Sequence, residues 1–289
     1  MKFPVPRVIG IVLLVIAALV FRTQGLAHTG LLALAGLVLV LTPKKSAERH
    51  WQAFAGSFKL SKDFALLMLF DALFWAALAV LIVVLSSALQ GPFASLRSIQ
   101  LGEGVSLGTI ASYNTVLQGA FTTALVSLVV FWLVVLAAYS LSRGLVWLTL
   151  VRGRFKAQFF LRFALLNLCW CTAWLALVLV ALLTMQPLAG AIAFIVLLLA
   201  YVHVTTVLHA SYAKSRQAGE SVRAAFGTGL GALGGFIIPY AYVFLVYVII
   251  AQVQRLIPAA AGLVVTFLVF LAFMAWYRTY LSAIVRRIT

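Results

Sequence analysis

The sequence predicts an all-α integral membrane protein of about eight transmembrane helices, with both termini in the cytoplasm. Three observations predict it. Eight apolar segments have lengths at or near what a bilayer crossing requires. The chain is 65% hydrophobic and only 9% charged, with a mean hydropathy of +1.17, a balance that soluble domains do not show. Eighteen of its 21 Lys and Arg residues fall in alternate gaps between those segments.

A bilayer core about 30 Å thick needs roughly 20 apolar residues of helix, and as few as about 17 where the membrane is thin. The segments are Val8–Phe21, Leu26–Thr42, Phe64–Leu89, Leu117–Ser142, Phe163–Thr184, Leu188–Tyr212, Phe236–Val253 and Pro258–Tyr277. The first is short and the second borderline. Lys2 and Arg7 ahead of a short apolar run, with small residues near Gly25 and Ala27, also fit a secretory signal. The reading adopted is a transmembrane hairpin over 1–43, followed by a six-helix membrane domain over 44–289.

With Lys2 and Arg7 inside, the even gaps carry Lys44 to Lys62, then Arg143 to Arg162, then Lys214 to Arg223, and finally Arg278, Arg286 and Arg287. The odd gaps hold only Arg22, Arg97 and Arg255. Lys and Arg near span ends in short loops set orientation, so this bias places the basic loops in the cytoplasm. The net charge of +16 then needs no nucleic-acid partner. Each well-placed cation attracts anionic head groups by about 1 kcal/mol. The expected partners are therefore membrane lipids, anionic ones among them, and copies or other subunits within the membrane. Candidate lipid contacts are Lys44, Lys45, Arg49, Lys59, Lys62, Arg152, Arg154 and Lys156, although topogenesis alone also accounts for them. Cys169 and Cys171 lie two residues apart within one apolar segment and read as packing residues rather than a disulfide or metal pair.

The third and fifth segments align without gaps. Phe64-Ala65-Leu66-Leu67 recurs as Phe163-Ala164-Leu165-Leu166, and Trp75 recurs as Trp174; the seventh segment keeps aromatics at Phe236 and Tyr247. Internal repeats of this kind are a frequent build for membrane proteins. Three hairpin units follow, over 44–142, 143–212 and 213–289. A basic stretch with large apolar residues at helical spacing precedes each: Trp51, Phe54 and Phe58, then Phe155 and Phe159, then Val222 and Phe226. Such stretches predict three amphipathic helices lying in the interface, rings in the acyl boundary and cations among the phosphates. In layout only, the arrangement resembles the membrane domain attached to some glycerophosphodiester phosphodiesterases. Gly227, Gly231 and Gly235 at four-residue spacing predict close helix packing or a hinge. The long external loop Gln90–Val116 is too apolar for a free linker and predicts an interfacial or re-entrant helix.

Asp71 is the only acidic residue within a segment. A charge at mid-bilayer costs between about 3 and 17 kcal/mol, so an intramembrane acid is a candidate for function. Its position lies ~10 Å from the cytoplasmic edge, and His203 lies ~13 Å deep, at 1.5 Å rise per residue. Asn167, His209 and Tyr240 fall near the same height, making a polar layer of Asp71, Asn167, His203, His209 and Tyr240. Two readings stand: interhelical glue, or a cytoplasm-facing polar cavity for a head group, ion or proton. If the layer converges, the Asp71 carboxyl should reach His203 or Tyr240 directly or through one water.

Catalytic patterns are missing: no H-E-x-x-H, no G-x-S-x-G, no paired carboxylates, and no Asp-rich cluster for diphosphate. The histidines are spread over different depths, which disfavours bis-histidine haem. The sequence therefore predicts a non-enzymatic membrane protein without cofactor or metal, either a subunit of a membrane assembly or an organiser of lipid at the cytoplasmic leaflet. The alternative is a small transporter with a cavity around Asp71 and His203.

Overall fold

The computed structural model describes residues 5–97, 107–254 and 257–288, which form nine α-helices. They are α1 (Val5–Leu41), α2 (Lys44–Gly56), α3 (Lys62–Arg97), α4 (Leu107–Val151), α5 (Ala157–Thr184), α6 (Pro187–Ser215), α7 (Ala218–Gly231), α8 (Gly234–Gln254) and α9 (Ala259–Ile288). Six stretches, within α3, α4, α5, α6, α8 and α9, are long and apolar enough to cross a membrane. The chain is thus a helical, multi-pass membrane protein.

Helix α1 is helical throughout its 37 residues, yet it is not straight. A straight helix of that length would run about 55 Å. Instead the Arg7 guanidinium donates to the Thr42 carbonyl at 3.4 Å. Gly10 and Gly36 face each other so closely that a Cβ on Gly10 would lie 2.7 Å from the Gly36 carbonyl oxygen. These pairs centre the reversal near Gly25, between the two short apolar segments. The paired arms pack Leu13, Ala17, Ala35 and Leu39 into a core shared with Phe236 and Tyr242 of α8. Arg7 therefore lies at the same end of the bundle as α2.

Buried residues collect at that end. Leu67 of α3, Val146 and Leu148 of α4, Phe163 of α5, Leu208 and Tyr212 of α6, and Ala275, Tyr280 and Leu281 of α9 are all buried. At the opposite end the apolar side chains of α3 to α6, such as Val83, Val130, Leu183 and Leu188, stay exposed. In a bilayer such faces meet acyl chains and lose nothing by it.

Several expectations are corrected. Helix α2 forms, but Phe54 does not face outward: it is buried, stacked on Tyr242 with centroids 4.5 Å apart and edge-on to Trp276 and Tyr280, whereas Phe58 is 49% exposed. No separate helix lies between α4 and α5. Helix α4 runs on to Val151, through the expected unit boundary at 142/143, and then stops. Arg152 takes a left-handed φ of 54°, and the Gly153 amide closes onto the Leu148 carbonyl at 2.8 Å, a helix-ending pattern. Residues 153–156 are not helical, so Phe155 and Phe159 do not share a helical face. A short helix followed by two long ones occurs as α2-α3-α4 and as α7-α8-α9, with only α5-α6 between them.

The glycine stripe is out of register by two residues. A Cβ on Gly227 or Gly231 would meet nothing within 4 Å. The buried face of α7 is instead Ser221, Ala225 and Gly229, also at four-residue spacing, and it lies against α6, where Gly229 approaches Val204 and Val207. The expected long loop is mostly helical, since α3 extends to Arg97 and α4 begins at Leu107; residues 98–106 lie outside the described residues.

Candidate functional site

Antiparallel α3 and α4 bring Phe70-Asp71 opposite Ser142-Arg143. The Ser142 hydroxyl donates to the Phe70 carbonyl at 3.1 Å, and Arg143 Nη1 donates to Asp71 Oδ1 at 2.7 Å. Arg278 of α9 donates through Nη1 to the other carboxylate oxygen, Oδ2. Asp71 is 0% exposed, Arg143 7% and Arg278 6%. One carboxylate is thus clamped by two guanidinium groups from two other helices. The Arg143 guanidinium also lies over the rings of Phe74 (5.5 Å) and Tyr139 (5.3 Å). Phe74 is one turn from Asp71 and Tyr139 one turn from Arg143, so helical spacing itself builds this box.

This corrects the expected partner of Asp71. The carboxylate is held by Arg143 and Arg278, whereas His203 and Tyr240 bond to each other. By sequence both arginines fall in cytoplasmic gaps, because the apolar segments stop one residue before each. In the structure α4 and α9 continue past them, and both side chains turn inward.

The rest of the polar layer divides into two further knots. The Asn167 amide donates to the Ser140 hydroxyl at 3.1 Å, and its oxygen lies 2.7 Å from His209 Nε2; this ties α4, α5 and α6. Trp170 Nε1 donates to Thr205 across α5 and α6 at 2.8 Å. On another side of α6, His203 Nε2 lies 2.7 Å from the Gly229 carbonyl and its Nδ1 2.5 Å from the Tyr240 hydroxyl. A carbonyl only accepts, so Nε2 carries a proton and donates to it, while Nδ1 and the Tyr240 hydroxyl make the second bond. That contact joins α6 to α7 and α8. Residues 203 and 209, six positions apart at 100° per residue, point roughly 120° apart around α6, so the two histidines cannot share one site. Among the described residues no three His, Cys, Asp or Glu side chains come together as a metal site would require.

A cavity of about 170 Å³ lies between α4, α6 and α9. Arg143 and Arg278 line it, with Tyr139, Tyr201, Thr206 and Tyr277. Asp71, behind the two guanidinium groups, does not reach it. Larger hollows exist, such as one of about 220 Å³ between α3 and α4 that Val84, Leu85, Val126 and Val130 help to line. Its walls are almost wholly aliphatic, as expected of a groove facing acyl chains.

Of the candidate lipid contacts, Arg49, Lys59, Lys62, Arg152, Arg154 and Lys156 are exposed. The side chains of Lys44 and Lys45 lie outside the described residues. The exposed group sits on α2, at the start of α3 and between α4 and α5, all at the packed end of the bundle. The chain matches no family model, no curated protein and no solved structure.

Proposed function

We propose that this protein is a non-enzymatic, eight-span membrane protein that engages anionic phospholipid at the cytoplasmic leaflet. The observation that carries the proposal is the collar of exposed cations, Lys59, Lys62, Arg152, Arg154 and Lys156, around the packed end of the bundle. A leaflet rich in anionic lipid lowers the energy of such a collar by about 1 kcal/mol per cation near its surface. The same end holds Arg7 and the last turns of α9, which supports two cytoplasmic termini and a first hairpin of two short spans. The α2-α3-α4 and α7-α8-α9 layouts support an internal repeat whose middle copy has lost its interfacial helix.

The test is the lipid preference of the reconstituted protein. In nanodiscs of mixed phosphatidylcholine and phosphatidylglycerol, the wild type should enrich phosphatidylglycerol around itself. Replacing Lys59, Lys62, Arg154 and Lys156 together by Gln should abolish most of that enrichment. Equal enrichment in both proteins would remove the leaflet-organising role.

A second reading, a small transporter, is favoured by the cavity between α4, α6 and α9. It requires water to reach Thr206 from both sides of the membrane in turn. Cysteine placed at Thr206 and labelled from each side of oriented vesicles would decide it, and labelling from one side only would dismiss it.

A further inference from the structure

We propose that the cavity between α4, α6 and α9 is a binding site for one phosphate-type oxyanion, supplied by the head group of an anionic phospholipid. The charges require it first. Two guanidinium groups share one carboxylate, and Asp63, the other acid of α3, stands exposed in its first turn, so the triad keeps one positive charge buried and unbalanced. A buried charge without a counterion is strongly disfavoured, and more so in a membrane. Both arginines give Nη1 to Asp71, and each guanidinium carries further N–H donors for whatever occupies the cavity that they line.

The donor set fits phosphate. Two planar forks surround the space with the hydroxyls of Tyr139, Tyr201 and Tyr277, while the Thr206 hydroxyl, which also lines it, donates to the Val202 carbonyl at 2.7 Å. A tetrahedral oxyanion with several acceptor oxygens uses such a set better than a halide does. The size fits as well: about 170 Å³ admits a head-group phosphate and its ester oxygens but no acyl chain. A cavity of about 150 Å³ is known to take a molecule the size of benzene.

The opening indicates the source. Val202 of α6 also lines the cavity and is 43% exposed, and Met274 of α9 beside it is partly exposed. These apolar residues lie on spans, so the mouth faces sideways between α6 and α9 toward acyl chains. A lipid could leave its tails in the bilayer there while its phosphate sits between Arg143 and Arg278. The inference rests on the membrane-protein reading above but not on the collar of exposed cations.

The experiment compares four proteins by native mass spectrometry after extraction from phosphatidylglycerol-containing membranes, and by thermal melting with added inorganic phosphate against chloride at equal ionic strength. Wild type should retain a phosphatidylglycerol through delipidation. Arg278→Gln should hold it about tenfold or more weakly, since a charge-assisted fork is lost. Thr206→Leu fills the cavity without touching the triad and should lose the lipid while folding normally, which keeps the test decisive if Arg278→Gln misfolds. Replacing Lys59, Lys62, Arg154 and Lys156 by Gln should spare the retained lipid even where bulk enrichment disappears, which separates failure of this site from failure of the collar. A saturable melting shift with phosphate and no retained lipid would leave the site standing with a free anion as its ligand. Neither signal in the wild type, or both signals unchanged in Thr206→Leu, would overturn the proposal.

Discussion

Neutralising Asp71 should be far more damaging than neutralising Arg278, and the two changes should not add. At an effective dielectric constant of 20, each guanidinium–carboxylate contact at about 4 Å contributes about 4 kcal/mol of attraction. The two cations repel across the shared carboxylate, at roughly 6 Å, by about 3 kcal/mol on the same scale. Arg278→Gln loses one attraction but also that repulsion, leaving a neutral Arg143–Asp71 pair, so its net cost is about 1–2 kcal/mol. Asp71→Asn loses both attractions and keeps the repulsion. After relaxation and water entry, breaking a buried pair costs about 3–5 kcal/mol. At roughly 2–4 °C per kcal/mol for a chain of this size, Asp71→Asn should lower the melting temperature by about 10 °C and Arg278→Gln by a few degrees. The diagnostic is the sign in combination: Arg278→Gln destabilises the wild type but should stabilise Asp71→Asn, because it removes a cation left facing another cation. The assay is thermal melting of the purified variants in neutral detergent and phosphate-free buffer. Equal destabilisation by Arg278→Gln in both backgrounds would refute the shared-carboxylate account.

Four further outcomes follow from the packing. Gly10→Leu or Gly36→Leu should unfold or splay the first hairpin, at about 2 kcal/mol or more, because the obstructing atoms are backbone; protease sensitivity within the first 43 residues reads this out. Ala225→Leu should destabilise by about 1–3 kcal/mol by overpacking the α6 contact, whereas Gly227→Ala, with open space around it, should stabilise by about 0.5–1 kcal/mol; melting of the two variants in parallel checks both signs. Tyr240→Phe leaves the His203 Nδ1 without its partner and should cost about 1–3 kcal/mol, and His203→Ala should then add little further loss in the Tyr240→Phe background. Arg216 closes α6 with a left-handed φ of 59°, so Arg216→Gly should raise the melting temperature by the equivalent of about 1 kcal/mol.

The membrane class was legible because bilayer thickness sets a length that apolar runs must meet, and six such helices are present. The folding back of α1, with Gly10 against Gly36, agrees with the two short apolar segments on either side of Gly25. The pairing within the polar layer was not legible. Asp71 and Arg278 are 207 positions apart, and a linear charge map treats any cation just past an apolar run as a loop residue. Two readable signals pointed the other way. An intramembrane acid needs a cationic partner, and Arg143 stands one helical turn after Tyr139 with no proline between it and Gly153. The missing helix before α5 turned on local chemistry at Arg152-Gly153, where the chain leaves α4 by a left-handed residue that ring spacing cannot register. For α2 the ring spacing picks out Phe54, which is buried, and Phe58, which is not, and such spacing does not distinguish a face that meets lipid from one that meets α8 and α9. The register of the α7 stripe was missed because glycine was weighted over serine and alanine, although all three are small enough for close packing.

The measurement that bears most directly on this account is a density map of the protein in nanodiscs containing phosphatidylglycerol. The account predicts a compact head-group feature between Arg143 and Arg278, with chain-like density leaving past Val202 and Met274 between α6 and α9. A cavity closed by rearranged tyrosine side chains, with Arg143 and Arg278 turned away from it, would contradict it.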